Sequence, residues 1–553
     1  LRLAKFLLPR HVERVVVDAM KRAKPLELTG ENLTTELFAQ ITLNRRPVRL
    51  AASAKRAMQR SNNFVRKLAD NDAVIYGVNT GVGKLSDSRI SRDDLRHLQL
   101  NIIRSHACGV GEPLDEAETR GVMLLRANVL ARGYSGVRPI VVETLLKMLN
   151  RNVLPVIPCR GSVGASGDLA PLAHLALVLV GEGEAELEGK QMSGKTAMKR
   201  AKIPTLQLEA KEGISLVNGT QVMLALGLLA LRRCEILADT ADVAGALSLD
   251  GLRGTPTAFD PRIHALRPFD GQRLVAKNLM RLIHGSEIRE SHRDESKDPR
   301  VQDPYTLRCM PQVHGAVRDA LAYARHVFEI EMNSVTDNPL IFADGLKGSW
   351  VKGLKGKSVS AHQPINPSTH PPILSGGNFH GQPLATALDL MAIAMTQLGG
   401  ISERRIERLT NSDYSGLPAF LSEHSGLESG FMMAQVTAAA LVSENKTLAH
   451  PASVDSIPTS ANKEDYVSMG VTAALKLKQI VRNVETILAI ELLAASQAVD
   501  FLEPLKPGVG GRAAHRLVRS VSPPLKKDRA LAKDIEAVMR LVSEGKIANV
   551  LAT

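Results

Sequence analysis

Residues Gly161 to His174 read Gly-Ser-Val-Gly-Ala-Ser-Gly-Asp-Leu-Ala-Pro-Leu-Ala-His, a run of small residues that ends at an apolar helix. At its centre, Ala165-Ser166-Gly167 lets the backbone bend back on itself at little steric cost. Asp168, Pro171 in the first turn and Gly181 at the far end predict a helix from Asp168 through Leu179 to Gly181. A small-residue turn on the positive end of a helix dipole favours developing negative charge. On residue types alone this is a phosphate-binding loop or a plain helix start.

Other loops carry reactive or polar side chains, and each has a bland reading when taken alone. Tyr76-Gly77-Val78-Asn79-Thr80-Gly81-Val82-Gly83 is Gly-rich but lacks the Lys-Ser/Thr ending of a P-loop. Ser105-His106 closes a helical pattern, where a lone His is most often structural. Asn218, in Val217-Asn218-Gly219-Thr220-Gln221, reads as a helix cap. Gln302-Asp303-Pro304-Tyr305-Thr306-Leu307-Arg308 follows a charged stretch, and its Arg suits a paired bond to a carboxylate. Ser375-Gly376-Gly377-Asn378-Phe379-His380-Gly381 is a second small-residue turn before a long helix. Ser456 to Asp465 is polar and ends in the paired carboxylates Glu464 and Asp465. Together these loops place Tyr, His, Asn, Arg and Glu at turns, several of them at helix starts. Helix N-termini converging on one point would make a positive pocket.

The elements that must position these loops are mostly helical. Apolar residues recur at helical spacing over Ser91–Val110, Asp115–Ala131, Gln221–Asp239, Pro311–Asn333 and Gly381–Leu409. In Pro311–Asn333 the apolar face is Val313, Ala316, Ala320, Ala324 and Val327. In Gly381–Leu409 it is Leu384, Leu388, Met391, Met395 and Leu398. Thr472–Leu502 reads as one helix of roughly 45 Å at 1.5 Å per residue, a length that packs in bundles or across subunits. Residues 26–50 hold a short strand or two. Glu287–Asp303 is dense in charge without periodicity and reads as an exposed, mobile loop. Asp344–Leu374, with the only tryptophan, Trp350, reads as an insert.

Composition bounds the class. A chain of 553 residues with 44% apolar and only 3% aromatic residues builds its core from aliphatic side chains, which suits packed helices. No uncharged apolar run reaches membrane-spanning length, so no membrane segment is expected. The net charge is +13, and residues 1–66 hold fourteen Lys/Arg against five Asp/Glu. These are not interleaved with aromatics, so a solvated basic face is expected and nucleic acid is not. Cys108, Cys159, Cys234 and Cys309 are scattered singly, which suggests a reducing cytoplasm and neither a disulfide framework nor a zinc site. The histidines show no metal-ligand spacing, so no metal is implied.

Taken in order from about Leu26 to Leu502, these loops and the Ala165-Ser166-Gly167-Asp168 core resemble the aromatic amino acid ammonia-lyase family. The resemblance implies that Ala165-Ser166-Gly167 cyclises by itself to a 4-methylideneimidazole-5-one (MIO) electrophile. In that reaction the Gly167 nitrogen attacks the Ala165 carbonyl, and Ser166 loses its hydroxyl. The implied reaction is anti elimination of ammonia from an aromatic L-amino acid. Tyr76 would be the base that removes the β-proton. Arg308 would hold the substrate carboxylate. Asn218, Gln302 and Tyr305 would orient electrophile and substrate, and Phe379 would pack beside them. The charged Glu287–Asp303 loop would exclude water as a lid.

Substrate choice rests on Ser105, His106 and Glu464, which match the histidine enzymes where phenylalanine enzymes carry apolar or amide residues. A Glu facing an imidazole is an acceptor and charge partner, and it would go unpaired against a phenyl ring. L-Histidine, converted to urocanate, is therefore the first expectation. Lys463 and Tyr466 depart from the histidine pattern, as does Arg267-Pro268-Phe269-Asp270-Gly271. The alternative is a tyrosine ammonia-lyase or a tyrosine 2,3-aminomutase. The family fold implies an all-α chain, an elongated helical bundle with a smaller mixed N-terminal part holding the MIO loop. The divisions expected are an extension over 1–25, the MIO-bearing part over 26–240, the long-helix bundle over 241–502 and a helical segment over 503–553. A homotetramer with shared active sites is also implied.

Overall fold

Aliphatic, Ala-rich helices can approach closely and bury themselves on several sides, and the fold is built on that property. The computed structural model describes residues 23–69, 78–81, 90–91, 94–294, 298, 300–343 and 373–552. Its centre is a bundle of four long helices: α4 (Gln221–Gly251), α6 (Met310–Met332), α7 (Gln382–Thr410) and α8 (Gly470–Asp500). The helices α7 and α8 pack along each other, α4 packs on both, and α6 closes against α4 and α7. Leu477, Ile480, Val484, Ile487, Leu488 and Leu492 of α8 are all fully buried. Close approach needs small residues: a Cβ on Gly227 of α4 would lie 2.9 Å from the Phe328 ring of α6.

The smaller N-terminal part carries α1 (Leu95–His106), α2 (Glu116–Ala131) and α3 (Leu169–Leu179). The expected strands are β1 (Leu26–Leu28) and β2 (Val48–Leu50), paired in parallel with Leu26 opposite Val48. A short helix, α5 (Tyr305–Arg308), precedes α6. One contiguous apolar core runs from Leu28 to Val550.

Several expectations are corrected. The α4 helix does not stop at Asp239, because the charges there are neutralised inside the bundle. Asp239 and Asp242 pair with Arg318 of α6, and Asp242 also bonds His314 and Asn278. The buried stripe of α6 is His314, Val317, Leu321, Ala324, Phe328 and Met332, while Ala316 of the expected face is exposed. A paired, buried His belongs to that stripe, which shifts its phase. The stripe expected on α7 is fully buried.

Glu287–Asp303 is not a bare loop. Ser286 caps a short helix over Glu287–Ser291 that buries Ile288, and Asp303 is buried with its carboxylate accepting from Thr255 N at 2.6 Å. Trp350 and residues 344–372 lie outside the described residues, as do residues 1–22. Among the described residues, α7 alone has the length and composition to cross a membrane, and 61% of that stretch is buried inside the fold.

Candidate functional site

The Ala165-Ser166-Gly167 turn is gripped from two sides. Gly164 and Gly167 take φ of +70° and +81°, conformations that side chains resist. A Cβ on Gly164 would sit 2.2 Å from Ser468 Oγ, and one on Gly167 would sit 2.2 Å from the Gly219 carbonyl oxygen. Gly167 bridges to Gly219, and Asp168 N donates to Gly219 O at 2.7 Å. On the other side Ala165 packs on Val467 and Met469, and Met469 N donates to Val163 O at 2.9 Å. Ser166 remains half-buried between these straps.

Four helices begin at this point: α3, α4, α7 and α8. Met223, in the first turn of α4, marks the convergence. Cβ atoms on Gly381 and Gly470, at the starts of α7 and α8, would lie 2.4 and 2.5 Å from its sulfur. The expected meeting of helix N-termini is therefore present, and it makes a field that favours anions. Asp168 does not cap its own helix, as its position suggested. Its Oδ2 instead accepts from Val222 N at 2.8 Å and Met223 N at 3.0 Å, capping α4. Full burial pushes its pKa up to about 7 against the opposing pull of those two amides.

Glu464 is delivered by a strained loop. Ser460, Ala461 and Asn462 all take left-handed φ, between 51° and 63°. Thr459 and Glu464 close the loop with paired backbone bonds of 2.9 and 3.3 Å. Three consecutive non-glycine residues in that region cost energy, which the surrounding contacts must offset. The result places Glu464 Oε1 3.1 Å from Ser166 Oγ, while Thr459 Oγ1 donates to Oε2 at 2.8 Å. The adjacent Tyr466 stacks on His380 at a centroid distance of 6.2 Å, and His380 Nε2 donates to the Tyr466 carbonyl at 3.1 Å. Phe379, next to His380, is half-buried.

His106 ends α1, and the following Gly109 lies against Gly161 of the small-residue run. Its Nδ1 donates to Ile102 O at 2.7 Å, so a neutral ring presents Nε2 as an acceptor. Ser105 is exposed, and its Oγ donates back to Ile102 O at 3.2 Å. Asn218 is buried beside the turn and does not cap the start of α4; it closes the preceding short helix Glu212–Val217, its N donating to Ile214 O at 3.0 Å. Its Nδ2 donates to Asn338 O at 3.1 Å, and its Oδ1 has no partner among the described residues.

Gln302, Tyr305 and Arg308 are not beside Ser166 in the same chain. Thr306 of α5 donates to Ile401 O of α7 at 3.2 Å. The turn meets α7 at Gly381, and Gly381 to Ile401 spans about 30 Å of helix. Gln302 is exposed, Tyr305 is 70% exposed, and the Arg308 guanidinium lies 4.7 Å over the Tyr305 ring. Tyr76 lies outside the described residues.

Sequence reasoning missed three buried ions behind the turn. Arg126 of α2 donates to Asn218 O at 2.6 Å and Gln221 Oε1 at 2.9 Å. Lys211 and Asp337 form a fully buried pair at 3.2 Å, with Asn338 N donating to Asp337 Oδ1 at 2.7 Å. An Arg inside Met123-Leu124-Leu125-Arg126-Ala127 was a readable signal, because a charge in an apolar run needs a buried partner.

This geometry defines a helical site with the Ala165-Ser166-Gly167 turn at the meeting point of four helix starts. Residues 33–520 match the family model described as aromatic amino acid lyase. The chain is 57% identical over 526 residues to the histidine ammonia-lyase of Koribacter versatilis, covering 95% of this chain and 99% of that protein. It superimposes on the crystal structure of histidine ammonia-lyase from Trypanosoma cruzi with a TM-score of 0.84 at 40% identity, covering 96% and 95% of the two chains. It also superimposes on tyrosine aminomutase from Streptomyces globisporus with a TM-score of 0.86 at 37% identity, covering 96% and 98%. The chain belongs to the aromatic amino acid lyase family, a family of carbon–nitrogen lyases.

Proposed function

We propose that the protein eliminates ammonia from L-histidine to give urocanate. The observation that carries this reading is Glu464, held 3.1 Å from Ser166 by its own strained loop. A carboxylate there accepts an imidazole N–H and has nothing to bond on a phenyl ring. The histidine ammonia-lyase relatives support the same substrate.

Ala165, Ser166 and Gly167 would carry the MIO group. Their fit rests on Gly167, where any side chain would strike Gly219 O, and on Ser166, whose hydroxyl among the described residues is engaged only by Glu464. The group supplies an electrophilic carbon for the substrate nitrogen. Arg308 pairs with the substrate carboxylate through two parallel bonds. Tyr76 takes the β-proton and must be ionised to do so. The positive ends of α3, α4, α7 and α8 supply the field that lowers a phenol's pKa. Tyr305 and Gln302 orient the substrate beside Arg308, His106 Nε2 accepts from the substrate ring, and Asn218 and Phe379 line the turn.

A site built this way needs more than one copy of the chain. About 30 Å of α7 separates the Arg308 end from the Ser166 end, which supports a homotetramer whose sites combine residues of different copies. Four unpaired cysteines support a cytoplasmic location.

The test is to incubate the protein separately with L-histidine, L-tyrosine and L-phenylalanine and follow the ultraviolet absorbance of the unsaturated acids. Urocanate from histidine is expected, and its formation should vanish in Ser166→Ala. Coumarate or β-tyrosine as the main product would overturn the substrate, and full turnover by Ser166→Ala would overturn the role of the turn.

A further inference from the structure

Arg126 is fully buried, yet among the described residues its charge meets no carboxylate in a hydrogen bond. Its Nη1 donates to Asn218 O and Gln221 Oε1, while Nε and Nη2 have no partner among the described residues. Arg120 lies on the same helix at 2% exposure and differs in this respect. Its bonds to Thr42 O, Leu149 O, Asn152 Oδ1 and Ile41 O leave none of its nitrogens without a partner. Burying a cation is costly, so an incompletely bonded one calls for a reason beyond packing. Burial pulls the Arg126 pKa down to about 10, which leaves it charged at neutral pH.

The reason lies in what Arg126 holds. The Asn218 carbonyl and the Gly219 amide form one peptide unit. A Cβ on Gly219 would lie 2.9 Å from Arg126 Nη1, so the guanidinium fills the space on that side of the strap. Gly219 O in turn accepts from Asp168 N and presses on Gly167. The order is therefore Arg126, Asn218 carbonyl, Gly219, Gly167.

We propose that Arg126 is a positioning residue for cyclisation of the Ala165-Ser166-Gly167 turn, acting by clamping the Asn218–Gly219 peptide against Gly167. This rests on the reading of the turn as self-cyclising. Cyclisation forms one bond, from the Gly167 nitrogen to the Ala165 carbonyl carbon. The Ala165 oxygen leaves as water with the amide hydrogens of Ser166 and Gly167. The Ser166 hydroxyl leaves as a second water with the Ser166 Cα hydrogen, and no oxidant is consumed. The clamp keeps Gly167 from swinging out of reach while the bond forms.

The experiment uses the full chain as wild type, Arg126→Gln, Arg126→Lys and Arg120→Gln. Intact mass is followed with time after each chain is released from cell-free synthesis, before cyclisation is complete, and the melting temperature of each protein is recorded. Loss of a charged donor should slow the two-water mass loss in Arg126→Gln by a factor of roughly 10 to 100. Arg126→Lys, which keeps the charge and loses the fork, should fall between it and wild type. Arg120→Gln should lower the melting temperature and leave the cyclisation rate unchanged. KM for histidine in fully cyclised Arg126→Lys should match wild type. A wild-type cyclisation rate in either Arg126 variant, or an equal slowing in Arg120→Gln, would overturn the inference. Should Arg126→Gln not fold, the Lys variant decides on the same criterion. A wild-type protein that never loses two waters would overturn the reading of the turn and the inference together.

Discussion

Asp168 gives the sharpest test of how the site is built. Its carboxyl is fully buried, bonds the first amides of α4 and has its pKa raised from an ordinary 3.8 to about 7. A raised acid binds its proton more tightly in the folded state than in the unfolded one. Stability from this group is therefore greatest below pH 3.8 and falls as pH rises through about 7, where the full penalty is reached. Three pKa units correspond to a ceiling of about 4 kcal/mol per chain, of which more than half accrues between pH 5 and pH 8. Asp168→Asn keeps an oxygen for Val222 N and Met223 N and removes the titration. Relative to wild type, the Asn variant should gain stability by up to that amount on going from pH 5 to pH 8. Asp168→Ala also removes the titration but loses the cap, so it should lie about 1–2 kcal/mol below Asp168→Asn at every pH. Melting temperatures of the three proteins across pH 5, 6, 7 and 8 measure this. An Asn variant that tracks wild type in parallel at every pH would refute both the perturbed carboxyl and its assignment to α4.

Two further perturbations address the chemistry. Glu464→Gln exchanges a charged acceptor for a neutral one, and kcat/KM for histidine should fall roughly 5- to 30-fold, from a loss of about 1–2 kcal/mol. Steady-state urocanate formation within twofold of wild type would remove Glu464 from substrate binding. Ser166→Ala and Arg308→Ala, each inactive alone, should regain activity when unfolded together and refolded as a mixture. Random mixing leaves roughly a quarter of composite sites intact, and a mixture no more active than its parents would show that each site lies within one copy.

The sequence was most legible where packing is purely apolar. Leu384, Leu388, Met391, Met395 and Leu398 repeat at helical spacing, and all five are buried. Legibility failed where polar groups satisfy one another inside the bundle. His314 occupies the buried stripe of α6 because Asp242 and Arg405 meet it there, and no periodicity rule counts a His as apolar. Asp168 misled for a related reason. Local sequence shows which helix an Asp precedes, but not that α4 folds back to within 3.0 Å of it. The position of α5 at the far end of α7 depends on chain connectivity that spacing does not encode.

The electrostatics of the turn follow from these hidden partners. Four helix N-termini meet at Ser166, where the Glu464 carboxylate lies 3.1 Å away, and two buried acids lie behind them: Asp168 and Glu331, which accepts from Thr220 Oγ1 at 2.5 Å. If both were fully ionised they would cancel much of the positive field. Burial raises the pKa of both, Asp168 to about 7. Near neutral pH Asp168 therefore carries less negative charge than a surface carboxylate, and both acids still accept their hydrogen bonds. Arg126 and Lys211 add positive charge on the far side of the Asn218 strap, with Asp337 bonded to Lys211. These cations and the four helix starts oppose the negative charge that Glu464 and Asp337 bring to the turn. In the proposed reaction an anionic substrate carboxylate and a tyrosinate base would both draw on that positive charge, which a small-residue turn by itself would not supply.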